Sequence, residues 1–557
     1  MVAKQILVYV VLLLCCLVTV HNCHSIQTTP LQNRLSKAIS CEECRLGAQL
    51  VDSLIEINAS TTDIIKVVAD LCIKSGFEQP DVCEGILTNY VPIVLDVLLE
   101  SELSPGDLCD YFKLCNSTDE SSDAEFYHQN RVYRQKEIFT DCSRQSPKIT
   151  PKALKSNSTV GYFLQITDIH FDHDYVVGSD PDCGRPLCCR NGTGDAGVWG
   201  NYQCDLPFNT VEAIFQHLST LEDQLDFIIW TGDNPPHNVW DPNSKSNQIA
   251  ATQTLSALVL KSFPSTPVFP SIGNHESFPS DEFYLPNTQW LLDVLYDSWE
   301  PWLDSDALQT VSTYGFYTSL VRDGLRLISL NTLDGDMINF YNLLPTRAVN
   351  QTAWFENVLQ QAVANDEYVI IAGHIPCTLK SGVSDEWCTM YQQLVEEYGS
   401  IISAQIYGHT HLDQISVYTD TETFSKPIGV NYIAPSMTTY QNHEPGFRIY
   451  EYDYSLNQVT NYYQYHANIS DANLYGQLNF TLSYSAKELY DMPDLTSNSW
   501  FQVANHLRSD DQMFNNYYNF LSNHPNGQTP CTGECRDKVI CEIFGITSFQ
   551  FDQCMGV

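Results

Sequence analysis

Apolar positions change period several times along the chain, and each change predicts a different element. Residues 6–20 form an apolar run behind Lys4. It is shorter than the roughly 18 residues a membrane span needs and has the layout of a signal peptide over 1–25. From 36 to 118 the spacing is helical. Cys41, Cys44, Ala48, Val51 and Ile55 share one face, which Leu46, Leu50 and Leu54 broaden. Ile64, Ile65, Val67, Val68 and Leu71 predict a second helix leading to Cys72; Cys83 follows a polar turn, and Ile93, Val94, Val97 and Leu98 predict a further helix. Ser104 and Pro105 read as N-cap and first residue of a last helix that presents Cys109 and Cys115. Residues 119–157 are polar and predict a linker packed on the next domain.

Beyond 158 the pattern shortens to strand-like runs at 162–166, 225–230, 268–272, 368–372 and 401–407. Each leads into metal-type residues: Asp168-Ile169-His170, Gly232-Asp233, Gly273-Asn274-His275-Glu276, Gly373-His374 and Gly408-His409-Thr410-His411. The carboxyl ends of strands are where α/β sheets place ligands. A lone Asp or His there is usually a turn residue; five strand ends so furnished predict one convergent site. On an extended segment, Asp168 and His170 would point to the same side. Nitrogen and oxygen donors without thiolate suit Zn, Mn or Fe, and a shared carboxylate, expected at Asp233, suits two ions about 3.5 to 4 Å apart. In 466–557, Tyr490, Trp500, Phe501, Phe514, Tyr517, Phe520 and Leu521 predict another packed, helical unit.

Charge and cysteine usage narrow the partners. A formal net charge of −39, from 67 acidic and 28 basic residues, argues against nucleic acid and suits a secreted or acidic-compartment protein. Of 20 Cys, 17 lie beyond residue 25, far more than a cytosolic enzyme needs. Asn58, Asn116, Asn157, Asn191, Asn350, Asn468 and Asn479 open glycosylation sequons. No stretch after the signal peptide reads as long and apolar enough to cross a bilayer. Cys183 with Cys188, Cys189 with Cys204, Cys377 with Cys388, Cys531 with Cys535 and Cys541 with Cys554 are expected local disulfides, whereas Cys23 and Cys142 have no assigned partner.

The six cysteines of 36–118 allow fifteen connectivities, but their order on short amphipathic helices resembles a saposin B-type domain. That resemblance implies the pairs Cys41–Cys115, Cys44–Cys109 and Cys72–Cys83 and the handling of sphingolipids at membrane surfaces. The ordered motifs from Asp168 to His411 resemble the calcineurin-like metallophosphoesterases. This implies an α/β two-sheet sandwich over 158–465, one metal held by Asp168, His170, Asp233 and His411, and another held by Asp233, Asn274, His374 and His409. Purple acid phosphatases in that superfamily place an iron-binding Tyr three residues after the bridging Asp. Pro236 occupies that place here, so two zinc ions are the expected cofactors.

The stretch Gly232-Asp233-Asn234-Pro235-Pro236-His237-Asn238-Val239-Trp240, with the upstream helical module and a cysteine-bearing helical C-terminal domain over 466–557, resembles the acid sphingomyelinase family. His237 and His275 match its two non-ligand histidines. The implied reaction is hydrolysis of sphingomyelin to ceramide and phosphocholine by a metal-activated hydroxide, one of these histidines protonating the leaving group. A nucleotide or other small phosphodiester is the alternative substrate; a non-catalytic lipid-binding protein is a third reading. The further expectations are a monomer in the secretory pathway, secreted or lysosomal, with a membrane or vesicle surface as its partner.

Overall fold

The computed structural model describes residues 41–101, 103–112, 114–115, 132–133, 148–149, 158–347, 350–521, 523 and 530–556. The signal peptide, Cys23, Cys142, most of the 119–157 linker and the sequons at Asn116 and Asn157 lie outside the described residues.

Four helices build the N-terminal unit: α1 (Cys41–Glu56), α2 (Thr61–Ser75), α3 (Pro80–Ser101) and α4 (Asp107–Tyr111). The Ser60 side chain accepts from the Asp63 N–H to start α2, and Gly76, at φ 67°, ends it with a left-handed cap. Disulfides join Cys41 to Cys115, Cys44 to Cys109 and Cys72 to Cys83. The last helix differs from its sequence reading. It starts at Asp107 rather than Pro105, and Cys115 lies beyond its end, because the Ser104 N–H and hydroxyl both bind the Asp107 carboxylate, at 2.7 and 2.8 Å, in a turn before the helix.

α3 corrects a second expectation, since it is long and apolar enough by composition to cross a membrane. Its apolar surface is used on two sides instead. Leu87, Val91 and Leu95 pack with Ile64 and Val68 of α2, while Val82, Ile86, Tyr90 and Val97 pack with Trp240, Phe340 and Leu343 of the sheet-bearing region that follows. A helix clasped from two sides needs apolar residues all round.

Two six-stranded sheets follow. The first joins β2 (Val160–Ile166), β3 (Phe227–Trp230) and β4 (Val268–Pro270) in parallel, and reaches its other edge through β12 (Gly446–Asp453), β13 (Gln458–Ala467) and β14 (Phe480–Ser485). The second runs β10 (Gln414–Thr419), β11 (Pro427–Ile433), β9 (Ile402–Tyr407), β8 (Tyr368–Ala372), β6 (Leu325–Ser329), β5 (Tyr317–Arg322), with β6, β8, β9 and β11 parallel. A short parallel pair, β1 (Val132–Tyr133) with β7 (Thr346–Arg347), stands apart. β3 is buried along its whole length, as a strand covered on both faces must be. The segment 466–557 is mainly helical but also supplies β14, which pairs antiparallel with β13 and so ties this region into the first sheet.

Candidate dinuclear metal centre

Every candidate donor leaves the carboxyl end of a parallel strand: Asp168 and His170 after β2, Asp233 after β3, Asn274 after β4, His374 after β8, His409 and His411 after β9. The two sheets open onto the same crevice, and all seven side chains are buried there. Asp168 and His170 do not lie on an extended segment. Their φ angles are 50° and 44°, and Asp233, His409 and His411 are also left-handed, at 60°, 73° and 59°. Non-glycine residues adopt this region at a cost of about 1 to 3 kcal/mol each, and such strain collects at functional sites.

Hydrogen bonds on the far side of each ring decide what faces inward. His170 Nδ1 donates to the Pro235 carbonyl at 2.8 Å and His374 Nδ1 to the Thr231 carbonyl at 2.6 Å, while His409 Nε2 donates to the Ser381 carbonyl at 3.1 Å. The remaining nitrogen of each neutral imidazole is therefore a lone pair. Asn274 Nδ2 donates to Asp281 at 2.9 Å, which turns its oxygen inward too. Acceptors consequently crowd together. His374 Nε2 lies 2.9 Å from Asn274 Oδ1 and 3.2 Å from His409 Nδ1, and His170 Nε2 lies 3.2 Å from His411 Nε2. Asp233 Oδ2 faces both groups, 3.1 Å from His374 Nε2 and 3.5 Å from His170 Nε2. Converging lone pairs repel unless cations lie among them, so this donor set fits two metal ions that share one carboxylate oxygen.

His237 and His275 border the same space. The His237 ring lies 3.9 Å from that of His170 and 4.7 Å from that of His275, which in turn lies 4.9 Å from His170. Asp205 binds His237 twice, accepting from its backbone N–H at 2.8 Å and from ring Nδ1 at 2.9 Å, and it also accepts from the Thr438 hydroxyl at 2.9 Å. Burial is the largest cause that holds the His237 imidazole well below its usual pKa.

Two family matches and three relatives bear on this site. Residues 161–413 match the Calcineurin-like phosphoesterase family, and 426–557 match the family described as Acid sphingomyelin phosphodiesterase C-terminal region. "Sphingomyelin phosphodiesterase A" of Dictyostelium discoideum is 54% identical over 95% of this chain and 93% of its own length. The chain belongs to the acid sphingomyelin phosphodiesterase family. "Sphingomyelin phosphodiesterase" of Bos taurus is 34% identical over 90% of this chain and 81% of its own length. "Cyclic GMP-AMP phosphodiesterase SMPDL3A" of Bos taurus is 31% identical over 71% of this chain and 90% of its own length. The calcineurin-like match and the sphingomyelin phosphodiesterase relatives make this member of the family a phosphodiester hydrolase.

Sequence reasoning missed Asp205 and Glu276 as functional residues. Asp205 follows a disulfide cysteine, where nothing in the local pattern points to a histidine thirty-two positions on. Glu276 was visible only as the tail of the Gly-Asn-His-Glu motif; its carboxylate accepts from the N–H groups of Gly273, Asp233 and Asn234, at 2.6, 3.1 and 2.7 Å, and so clamps two strand ends together. Cys183–Cys188 and Cys189–Cys204 staple the loop that delivers Asp205. Cys377–Cys388, Cys531–Cys535 and Cys541–Cys554 complete the disulfides among the described residues. Of the sequons, Asn58, Asn191 and Asn479 are exposed, while Asn350 and Asn468 are half-buried and cap helices with their side-chain oxygens.

Proposed function

We propose that this chain hydrolyses sphingomyelin to ceramide and phosphocholine, with two zinc ions held by Asp168, His170, Asp233 and His411 on one side and Asp233, Asn274, His374 and His409 on the other. The observation that carries the reading is the inward crowd of lone pairs around Asp233 Oδ2 in a chain 54% identical to a sphingomyelin phosphodiesterase over 95% of its length. Bound ions supply Lewis-acid stabilisation of phosphoryl charge and lower the pKa of water.

The protein's own groups do the rest. Asp205 already accepts from two other donors, so it takes the Nδ1 proton of His237 and leaves Nε2 as a lone pair. Held neutral in this way, His237 suits accepting a hydrogen bond from water or substrate. His275, whose ring lies 4.7 Å from that of His237, then protonates the ceramide oxygen as it leaves. The four-helix unit at 41–115 is a saposin-type module that presents the lipid, and the disulfides and sequons suit an oxidising, acidic branch of the secretory pathway.

The similarity to a cyclic dinucleotide phosphodiesterase over 71% of the chain supports a second reading, a small soluble diester. One experiment separates them. Purified protein, stripped with a chelator and reloaded with zinc, manganese or iron, is offered sphingomyelin vesicles and a cyclic dinucleotide. Zinc-restored release of phosphocholine is expected. Turnover of the dinucleotide alone defeats the lipid assignment, and restoration by iron but not zinc defeats the choice of metal.

A further inference from the structure

The two proposed donor sets are unequal in charge. Asp168 serves one ion alone and Asp233 is shared, so the ion among Asn274, His374 and His409 has no carboxylate of its own. Its two imidazoles are backed by neutral carbonyls, Thr231 behind His374 and Ser381 behind His409. Asn274 is backed differently. Its Nδ2 donates to Asp281 Oδ1 at 2.9 Å, and its carbonyl accepts from the Asp281 backbone N–H at 2.9 Å, so one residue grips both the side chain and the main chain of the donor. Asp281 does this from a left-handed backbone, at φ 72°, a conformation kept where the surroundings enforce it and common at functional sites.

Behind Asp281 lies a second acid. The carboxyl groups of Asp281 and Asp336 are hydrogen-bonded to each other, and both residues are buried, Asp336 completely. Two carboxyl groups meet in this way only through a proton. Asp336 supplies it: Oδ1 accepts from the Ile338 N–H at 2.9 Å and Oδ2 is offered no donor, whereas Asp281 already accepts from Asn274. Among the described residues neither acid forms an ion pair with Lys or Arg. Glu276, the acid nearest in sequence, is spent on three backbone N–H groups. The charge of Asp281 is thus left for what lies beyond Asn274, since a buried ion needs compensating charge close by.

We propose that Asp281, held by Asp336, is the outer carboxylate of the ion among Asn274, His374 and His409: it fixes the Asn274 amide with its oxygen inward and supplies the negative charge that this ion's neutral ligands lack. The inference rests on the two-ion reading and deepens it, because it makes one ion and not the other depend on an acid that never touches it. Asp281 and Asp336 are positioning residues that act through Asn274. A group that hydrogen-bonds a metal ligand from behind contributes about 10- to 100-fold in metal affinity.

The test measures zinc binding by the full-length protein, through elemental analysis and competition with a chelator of known affinity, and needs no substrate. Wild type is expected to hold two ions per chain. Asp281→Asn keeps an acceptor for Asn274 but removes the charge, and is expected to weaken one ion about 10-fold; Asp281→Ala removes both and is expected to weaken it about 100-fold. The other ion stays at wild-type affinity in each. Asp336→Asn still offers Asp281 a donor and should bind both ions as wild type does, whereas Asp336→Leu should weaken the same ion about 10-fold. To show which ion responds, Asp281→Asn is repeated in His409→Ala, which lacks a ligand of that ion; the affinity of the remaining ion should not fall further.

Wild-type affinity for both ions in Asp281→Asn and Asp281→Ala overturns the inference. So does a loss shared equally by both ions, or one that persists in the His409→Ala background, because either assigns the effect to the fold around the crevice. Equal losses in Asp336→Asn and Asp336→Leu overturn the role given to Asp336. Should Asp281→Ala fail to fold, Asp281→Asn decides. A wild type that holds fewer than two ions defeats the two-ion reading itself, and the inference falls with it.

Discussion

Asp205 and Glu276 show how much of the site is built from residues that hold no metal. A carboxylate that fixes the tautomer of His237 controls which ring nitrogen faces the crevice. Asp205→Asn puts an amide in its place and favours the wrong tautomer. The expected result is a kcat lower by on the order of 100-fold or more, with metal content unchanged by elemental analysis. His275→Ala is expected to keep both ions and to lose about 10²- to 10⁴-fold in kcat, the range of a general acid; loss of metal instead would make His275 a ligand. The seven proposed donors were legible in the sequence because each follows a strand-like run at short range. Asp205 was not, because its partner is brought to it by the fold. The left-handed backbone at five donor positions was equally hidden, since the local pattern around Asp168-Ile169-His170 reads as extended.

At the scale of elements, the strand ends and the staples share the work. Parallel strands β2, β3 and β4 of one sheet and β8 and β9 of the other all finish at the same crevice, so seven side chains from five strand ends reach one place without a long insertion. The loop between β2 and the helix Phe208–Ser219 is different. It has little regular structure of its own and depends on Cys183–Cys188 and Cys189–Cys204. Opening the second of these, whose cysteines are 15 residues apart, with Cys189→Ser and Cys204→Ser is expected to lower stability by about 3 kcal/mol in denaturant unfolding. Turnover should fall with it, because Asp205 is the next residue along the chain. α3 teaches the complementary lesson. Its composition alone passes for a membrane span, and only its packing against α2 on one side and Trp240 and Phe340 on the other shows where that apolar surface is spent.

For the whole molecule, buried acids set the response to pH. Burial, with Asp81 adding to it, pushes the Glu78 carboxyl up to about 7. Burial and Asp281 push Glu282 and Asp336 well above the usual range. These groups bind protons more tightly folded than unfolded, so their unfavourable contribution is absent below about pH 4.5 and grows as pH rises towards about 7 for Glu78. A higher Tm is expected at about pH 5 than at about pH 7.5, and Glu78→Gln should narrow that difference; a Tm that rises steadily over the same interval would refute it. The net charge of −39 adds self-repulsion in the same direction. Sequence by itself determined the class of fold, the order of the units and the residue types of the site, because alternating apolar runs, cysteine spacing and glycine-flanked ligand residues are local signals. Tertiary structure alone decided the rest: which oxygen of Asp233 faces both groups of imidazoles, that Asp205 holds His237, and that Asp336 stands behind Asp281. Those relations join residues 32 or more positions apart, and no local pattern carries a contact that exists only once the chain has folded.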